Sequence, residues 1–340
     1  MTVASQDGKS ALKSWRQIAR RLPPVERALR ALRRTDEIVD LQVQLETIRQ
    51  QLEGASGRGL PTASPTVRPF LEWAPPGHFY SPLPDLTSVD HDAERIFARP
   101  AHLPGIDLNE GAQLALFDEI AHLAIGAPLP AEAGGYFAPN DSYGAGDAIV
   151  LQSMLRKLRP ERYVEVGSGW TTALAVDTNE AWLGGSTRIT AIEPHGELLR
   201  RILPHGAVEL LEQPVQHVPL HVFSELNGGD VLFIDCSHVV KIGSDAHHLV
   251  TQVLPVLSAG VHVHLHDIFW PFEYPRSWIE EGRGWSELYL LHAFLLFNPV
   301  FSIELFNDWL AVFHRDRIER KLPAMLENTG GALWLRVEPH

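Results

Sequence analysis

The spacing of apolar residues changes character along the chain. From Ile38 they fall at Leu41, Leu45, Ile48 and Leu52, alternating steps of three and four that place them on one seam of a helix. The seam lasts about two heptads before Gly54, short of the roughly three to four that define a coiled coil. Residues 38–52 therefore read as a surface for homo-oligomer formation or as an amphipathic helix packed on its own domain, and residues 1–53 as a helical arm. Residues 54–69, rich in Gly, Ser, Thr and Pro, offer turns and little to bury, the pattern of a linker. The stretch PPGHFYSPLP at 75–84 carries four prolines and predicts an extended, non-helical segment. Helices follow at 111–125 and 146–157, so residues 70–145 read as a cap or lid ahead of the next region, in which His78 and Tyr80 would fold over the ligand opening.

From Arg162 short β-rich runs alternate with helical ones: YVEV at 163–166, ITAIE at 189–193, VELLE at 208–212, DVLFID at 230–235 and VHVHLHD at 261–267. That alternation predicts an α/β domain with a parallel sheet covered by helices on both faces. FSIELF at 301–306 and ALWLRV at 332–337 add two strands without βαβ spacing, an edge pair closing the sheet of a domain spanning 146–340.

Composition narrows the class. With 340 residues, 45% hydrophobic and 21% charged, the chain has material for a large core and excludes a disordered protein. A net charge of −13 argues against a general nucleic-acid partner, since phosphate binding rests on basic surface. The charge is uneven: residues 1–34 hold nine Lys and Arg against Asp7 and Glu26, a local +7 that leaves −20 for the remainder. One cysteine, Cys236, excludes an internal disulfide and a cysteine-based zinc site, and suits a reducing, cytoplasmic setting. The longest apolar stretch, 288–306, is broken by His292, Asn298, Pro299 and Glu304, so neither a membrane span nor a signal peptide is expected.

Candidate chemistry begins where the first of these strands ends, at Glu165-Val-Gly167-Ser168-Gly169-Trp-Thr171. A glycine-rich turn lets backbone approach a ligand closely. A carboxylate two residues before the first glycine is unsuited to a pyrophosphate and suits a ligand carrying a cationic amino group. Glu193, 24 residues after Gly169, ends the second strand, where an acid accepts hydrogen bonds from a ribose diol. With Asp235 ending the fourth strand, this pattern resembles the class I S-adenosylmethionine-dependent methyltransferases. The resemblance covers about residues 146–337, with the third glycine of the first turn replaced within Trp170-Thr171-Thr172.

The resemblance implies a Rossmann-like sheet of order 3-2-1-4-5-7-6 with strand 7 antiparallel. It implies S-adenosylmethionine as cofactor, held by Glu165, Gly167, Ser168, Gly169, Thr171, Glu193 and Asp235, with Gln213 toward the adenine and Tyr143 approaching from the preceding helix start beside Gly146 and Asp147.

FIDCSH places Asp235 and His238 at one strand end, and HLHD places His266 and Asp267 at the next. Neighbouring parallel strands lie about 4.8 Å apart, so the carboxylates repel unless a cation or proton is shared. The Asp-x-x-His arrangement resembles metal-dependent O-methyltransferases of sugar hydroxyls and natural products. That implies Asp235 and Asp267 as ligands of Mg²⁺ or Mn²⁺, His238 as general base and a small-molecule hydroxyl acceptor. His266 stands where those relatives have a further acid, and is the candidate third ligand.

His262, His264 and His266 share one strand face, yet the first and last lie about 13 Å apart at the usual rise, too far for one ion. His262 and His264 therefore read as packed or hydrogen-bonded histidines rather than the start of a metallohydrolase motif. Trp270, Phe272 and Tyr274 in the following IFWPFEYP loop are candidates for an acceptor wall. The alternatives are a metal-independent methyltransferase, or a non-catalytic S-adenosylmethionine-binding protein that assembles through its N-terminal arm.

Overall fold

The computed structural model describes residues 66–339 apart from 128, 130–134, 138, 139 and 141, so the arm at 1–53 and most of the linker at 54–69 lie outside the described residues. The chain divides into two compact units, Met1–Pro75 and Pro76–His340. The described part of the first holds a short helix, Arg68–Trp73, braced by an Arg68–Glu72 ion pair one turn apart.

The second unit is built on seven strands: β1 Arg162–Val166, β2 Arg188–Ile192, β3 Glu209–Leu211, β4 Val231–Ile234, β5 His262–Leu265, β6 Phe301–Phe306 and β7 Leu333–Val337. Their order is β3-β2-β1-β4-β5-β7-β6. Strands β1 to β5 pair in parallel, and β7 runs antiparallel to both β5 and β6. The central strands are buried on both faces, which is why they read as near-continuous apolar runs. Residues 76–84 are non-helical, as their prolines predict, but they fold into turns and bends rather than the extended run expected, with Gly77 N donating back to Leu83 O at 3.2 Å.

Register sets one row across the sheet: Glu165 pairs with Phe233, Phe233 with His264, and His264 with Trp334. In a parallel pair these side chains leave on the same face. His264 accordingly lies flat on Phe233, with ring centroids 4.1 Å apart, and meets Trp334 edge-on at 4.9 Å. His262 is ion-paired with Glu304 at 2.7 Å. Both histidines serve the sheet, as the alternation argument expects.

Among the described residues, the two long helices that precede the sheet are α1 Glu110–Ala124 and α2 Ala145–Leu158. Residues Gly146 through Leu155 of α2 are continuously buried. Helix α1 packs on α2 and β6 and contributes Phe117 and Ile120 to the main core. Each fully buried large apolar side chain stabilises by about 1.5–3 kcal/mol, so α1 belongs to the body of the fold. Helix α3, Trp170–Thr178, follows the glycine turn, and α4, Glu287–Leu295, follows the loop after β5. The carboxyl ends of β1, β2, β4 and β5 thus open toward the same end of the sheet.

Candidate functional site

At the end of β1 the chain turns through Gly167 with φ +79°, and a Cβ there would stand 1.7 Å from the backbone oxygen of Asp235. Only glycine permits β1 and β4 to close like this, a contact secured by Asp235 N donating to Val166 O at 2.8 Å. Gly169 differs: a Cβ on it would meet only Leu198, at 3.5 Å. Among the described residues beyond its chain neighbours, no other atom comes within 4 Å of that position.

Glu165 is fully buried on β1. Its Oε1 accepts from the Thr171 hydroxyl in the first turn of α3, while Oε2 has no partner. Burial pushes its pKa up to about 8, against the opposing hydrogen bonds. Glu193, just past β2, accepts from Ser168 N at 3.2 Å and from His195 N at 2.8 Å, which ties it to the glycine turn. Gln213 is half-buried where β3 ends, and its neighbour in that turn, Leu211, accepts from Glu193 N at 3.2 Å. Tyr143 is buried against His266, with ring centroids 5.1 Å apart, and its hydroxyl donates to Asp147 O at 3.4 Å. It therefore stands at the β5 side of the site.

The ends of β4 and β5 bring the second group together. His238 Nε2 lies 3.2 Å from Asp235 Oδ1 and 3.7 Å from Asp267 Oδ2. His266 Nε2 lies 3.5 Å from Asp267 Oδ1. Both His238 and Asp267 hold positive φ, +57° and +58°, a conformation side chains other than glycine's adopt only when their surroundings enforce it.

Sequence reasoning missed Glu287, the first residue of α4. It is 1% exposed, and its Oε2 lies 2.8 Å from His238 Nδ1. An acid opening an apolar helical run reads in sequence as a charge favouring the helix N-terminus; only tertiary packing brings it to the histidine. The backbone of α4's start joins in, with Ser286 N and Glu287 N donating to His238 O at 2.8 and 3.0 Å.

Electrostatics moves His238 well away from the ordinary histidine value of 6.5. Burial alone would lower its pKa, but hydrogen bonds and charge from Asp235 and Glu287 raise it to about 10. Burial raises Asp235 in turn, and the cationic faces of His266 and His238 outweigh that and hold it below the usual carboxylate range. Asp147, buried beside His266 and bonded to Asn307 and Gly331 N, is raised by burial to about 6. Asp147, Asp235, Asp267 and Glu287 gather around His238 and His266, so carboxylates outnumber imidazoles at the ends of β4 and β5.

A cavity of about 550 Å³ opens beside His266 and Asp267, lined also by Asp147, Phe269, Trp278 and Arg283. Its aromatic wall is Phe269 and Trp278 rather than the expected Trp270, Phe272 and Tyr274, which are 0–3% exposed. The loop turns them inward: Trp270 Nε1 donates to Pro100 O at 2.8 Å, and Phe272 stacks on His292 at 4.7 Å. Trp270 and Tyr274 border a separate cavity of about 510 Å³ with Phe97 and Arg99; Pro275 borders both. None of the residues lining the cavity at Asp267 comes from the segment 75–84. The backbone of that segment is drawn into its own turns, with Ser81 N donating to His78 O at 2.7 Å.

Among the described residues, the three ligand-type side chains whose ligand atoms gather within 4.8 Å of one another are Cys236, His238 and Glu287. Asp235, Asp267 and His266 are grouped more loosely around His238.

A family model described as a methyltransferase domain matches residues 164–268. An uncharacterized protein of Archaeoglobus fulgidus is 35% identical over 161 residues, 45% of this chain and 73% of that one. Among solved structures, the SAH-bound methyltransferase PaMTH1 of Podospora anserina is 15% identical, with 75% of this chain and 95% of that chain covered and a TM-score of 0.39. A putative O-methyltransferase of Klebsiella pneumoniae is 16% identical, with 74% and 97% covered and a TM-score of 0.39.

Proposed function

This chain belongs to the class I S-adenosylmethionine-dependent methyltransferases, and we propose that it methylates a hydroxyl oxygen of a small molecule or sugar, with His238 taking the proton and a divalent cation assisting. The carrying observation is His238 Nε2, placed between the carboxylates of Asp235 and Asp267 where β4 and β5 end beside the cavity.

The cofactor side fits on three features of the chain. Glu165 offers a buried carboxylate oxygen without a partner to the amino group of S-adenosylmethionine. Glu193, fastened to the turn by Ser168, is positioned for the ribose hydroxyls. Gly169 leaves room over the turn. Gln213 toward the adenine, Thr171 behind Glu165 and Tyr143 at the β5 side complete the proposed binding set.

In the reaction the acceptor oxygen attacks the methyl carbon in line, a C–O bond forms as the C–S bond breaks, and S-adenosylhomocysteine leaves uncharged. Most of the chain's contribution is positioning, which is worth roughly 7–11 kcal/mol in favourable cases. The hydroxyl proton passes to His238 Nε2. Hydrogen bonds and charge from Asp235 and Glu287 favour the protonated form of His238, and a divalent cation held by Asp235 and Asp267 would offset the contribution of Asp235.

The carboxylates of Asp235 and Asp267 suit Mg²⁺ or Mn²⁺, and an imidazole from His266 as third ligand would shift the preference toward Mn²⁺, Fe²⁺ or another metal that accepts imidazole. A divalent cation held there would supply Lewis acidity that lowers the pKa of the acceptor hydroxyl. A metal-independent reaction is the second reading, favoured by the looser grouping of those three residues compared with Cys236, His238 and Glu287. Among the described residues no helix is long and apolar enough to cross a membrane, and with a single cysteine we place the reaction in the cytoplasm.

Two measurements test this. Methyl transfer is expected to fall with EDTA and return with Mg²⁺ or Mn²⁺; turnover indifferent to EDTA selects the metal-independent reading. His238→Ala should retain S-adenosylmethionine binding by calorimetry and lose at least about 100-fold in kcat, the lower range for general base catalysis. A fully active His238→Ala overturns the base assignment.

A further inference from the structure

We propose that Glu287 is the positioning residue for His238, holding the imidazole so that Nε2, and not Nδ1, faces Asp235, Asp267 and the acceptor. The inference rests on the reading of His238 as the base and adds a residue that the sequence motif does not contain.

Four contacts support it. Glu287 Oε2 takes Nδ1 of His238 at 2.8 Å, and the carboxylate is 1% exposed, so water does not compete for that bond. Its other oxygen, Oε1, accepts from Cys236 Sγ at 3.2 Å, which prevents the carboxylate from turning away. The backbone nitrogen of the same residue donates to His238 O at 3.0 Å, so α4 grips main chain and side chain of one histidine together. Trp285, two residues earlier, lies against the ring with centroids 4.4 Å apart. His238 has φ +57°, a strained backbone for a histidine, and strain persists only where neighbours over-determine it.

The consequence is chemical. With Nδ1–H bonded to Glu287, the proton that leaves and returns during turnover is the one on Nε2, which points to the reacting side. A glutamine at 287 would offer an amide that can donate to Nδ1 as readily as accept from it. Donation would put the single proton of neutral His238 on Nε2 and leave no lone pair toward the acceptor. An aspartate keeps the charge and the acceptor atoms but shortens the reach by one methylene.

The test measures kcat, KM for both substrates, S-adenosylmethionine affinity and thermal stability in the full chain and in Glu287→Gln, Glu287→Asp, His238→Ala and the double variant His238→Ala/Glu287→Gln. Glu287→Gln is expected to lower kcat about 100-fold or more, with cofactor affinity and KM changed less than about threefold. Glu287→Asp should recover at least about tenfold of the loss, and it carries the test if the glutamine variant does not fold. In the His238→Ala background the glutamine change should cost less than about twofold, because its target is gone. Glu287→Gln with kcat near that of the parent, or the same loss with and without His238, overturns the positioning role while leaving His238 as base. A fully active His238→Ala overturns the base reading and this proposal with it.

Discussion

Glu165 carries one unpartnered oxygen into the site from full burial, and this makes its proton the variable that links stability to cofactor binding. Its ordinary value of 4.5 is raised to about 8 by burial, so the folded chain holds a proton there at neutral pH. A raised folded value means that the associated stability is fully present below pH 4.5 and is lost as pH rises through about 8. Glu165→Gln, permanently neutral, should therefore melt higher than the parent at pH 8, with the difference shrinking toward pH 5. Cofactor binding has the opposite sign. A cationic amino group prefers the ionised carboxylate, so affinity for S-adenosylmethionine should climb between about pH 6 and 7.5, where an α-amino group with a value of about 7.7–8.0 stays charged. Calorimetry across that window checks both; a pH-independent affinity in the parent, matching Glu165→Gln, would remove Glu165 from the binding set.

The turn between β1 and α3 separates two reasons for glycine. Gly167 is required by the protein itself, since it combines φ +79° with a backbone oxygen of β4 at 1.7 Å from any added Cβ. Gly167→Ala is expected to destabilise by about 2–4 kcal/mol in urea unfolding, from strain and forced separation of β1 and β4. Gly169 has no such neighbour, so Gly169→Ala should alter stability by less than about 1 kcal/mol and weaken cofactor binding about tenfold by occupying ligand space. Equal effects of the two on stability, or unimpaired binding with alanine at 169, would contradict this division.

The same scale shows what was readable from residues alone. All seven strands were, because parallel strands buried on both faces leave unmistakable apolar runs between turn residues, and the order follows from the family resemblance. The juxtaposition of Asp235, His238, His266 and Asp267 was also readable, since neighbouring strand ends must meet. The inward turn of Trp270, Phe272 and Tyr274 was not: an aromatic loop has no period to say which side chains face a core. Nor was Glu287, whose partner lies 49 residues away and whose burial is decided by how α4 docks.

For the molecule as a whole, every strand among the described residues, and the apolar core built on them, fall within the unit Pro76–His340. Everything the proposed chemistry uses is there too, from Tyr143 to Glu287. A chain shortened by residues 1–53 should then keep its melting temperature within a few degrees, and should keep its affinity for S-adenosylmethionine within about twofold. Two properties should change. If residues 38–52 pair between chains through their apolar seam rather than packing on their own domain, solution mass by light scattering falls to that of one chain. The charge also shifts, because residues 1–53 carry ten Lys and Arg against seven acids, a net +3 within the total of −13, and their removal leaves −16. Retention on an anion exchanger should lengthen accordingly, and any encounter with an anionic acceptor should slow, most visibly below about 0.1 M salt where the Debye length exceeds about 10 Å. Loss of cofactor binding in the shortened chain would mean that the arm completes the site; unchanged mass with intact binding would leave its seam to pack on its own domain.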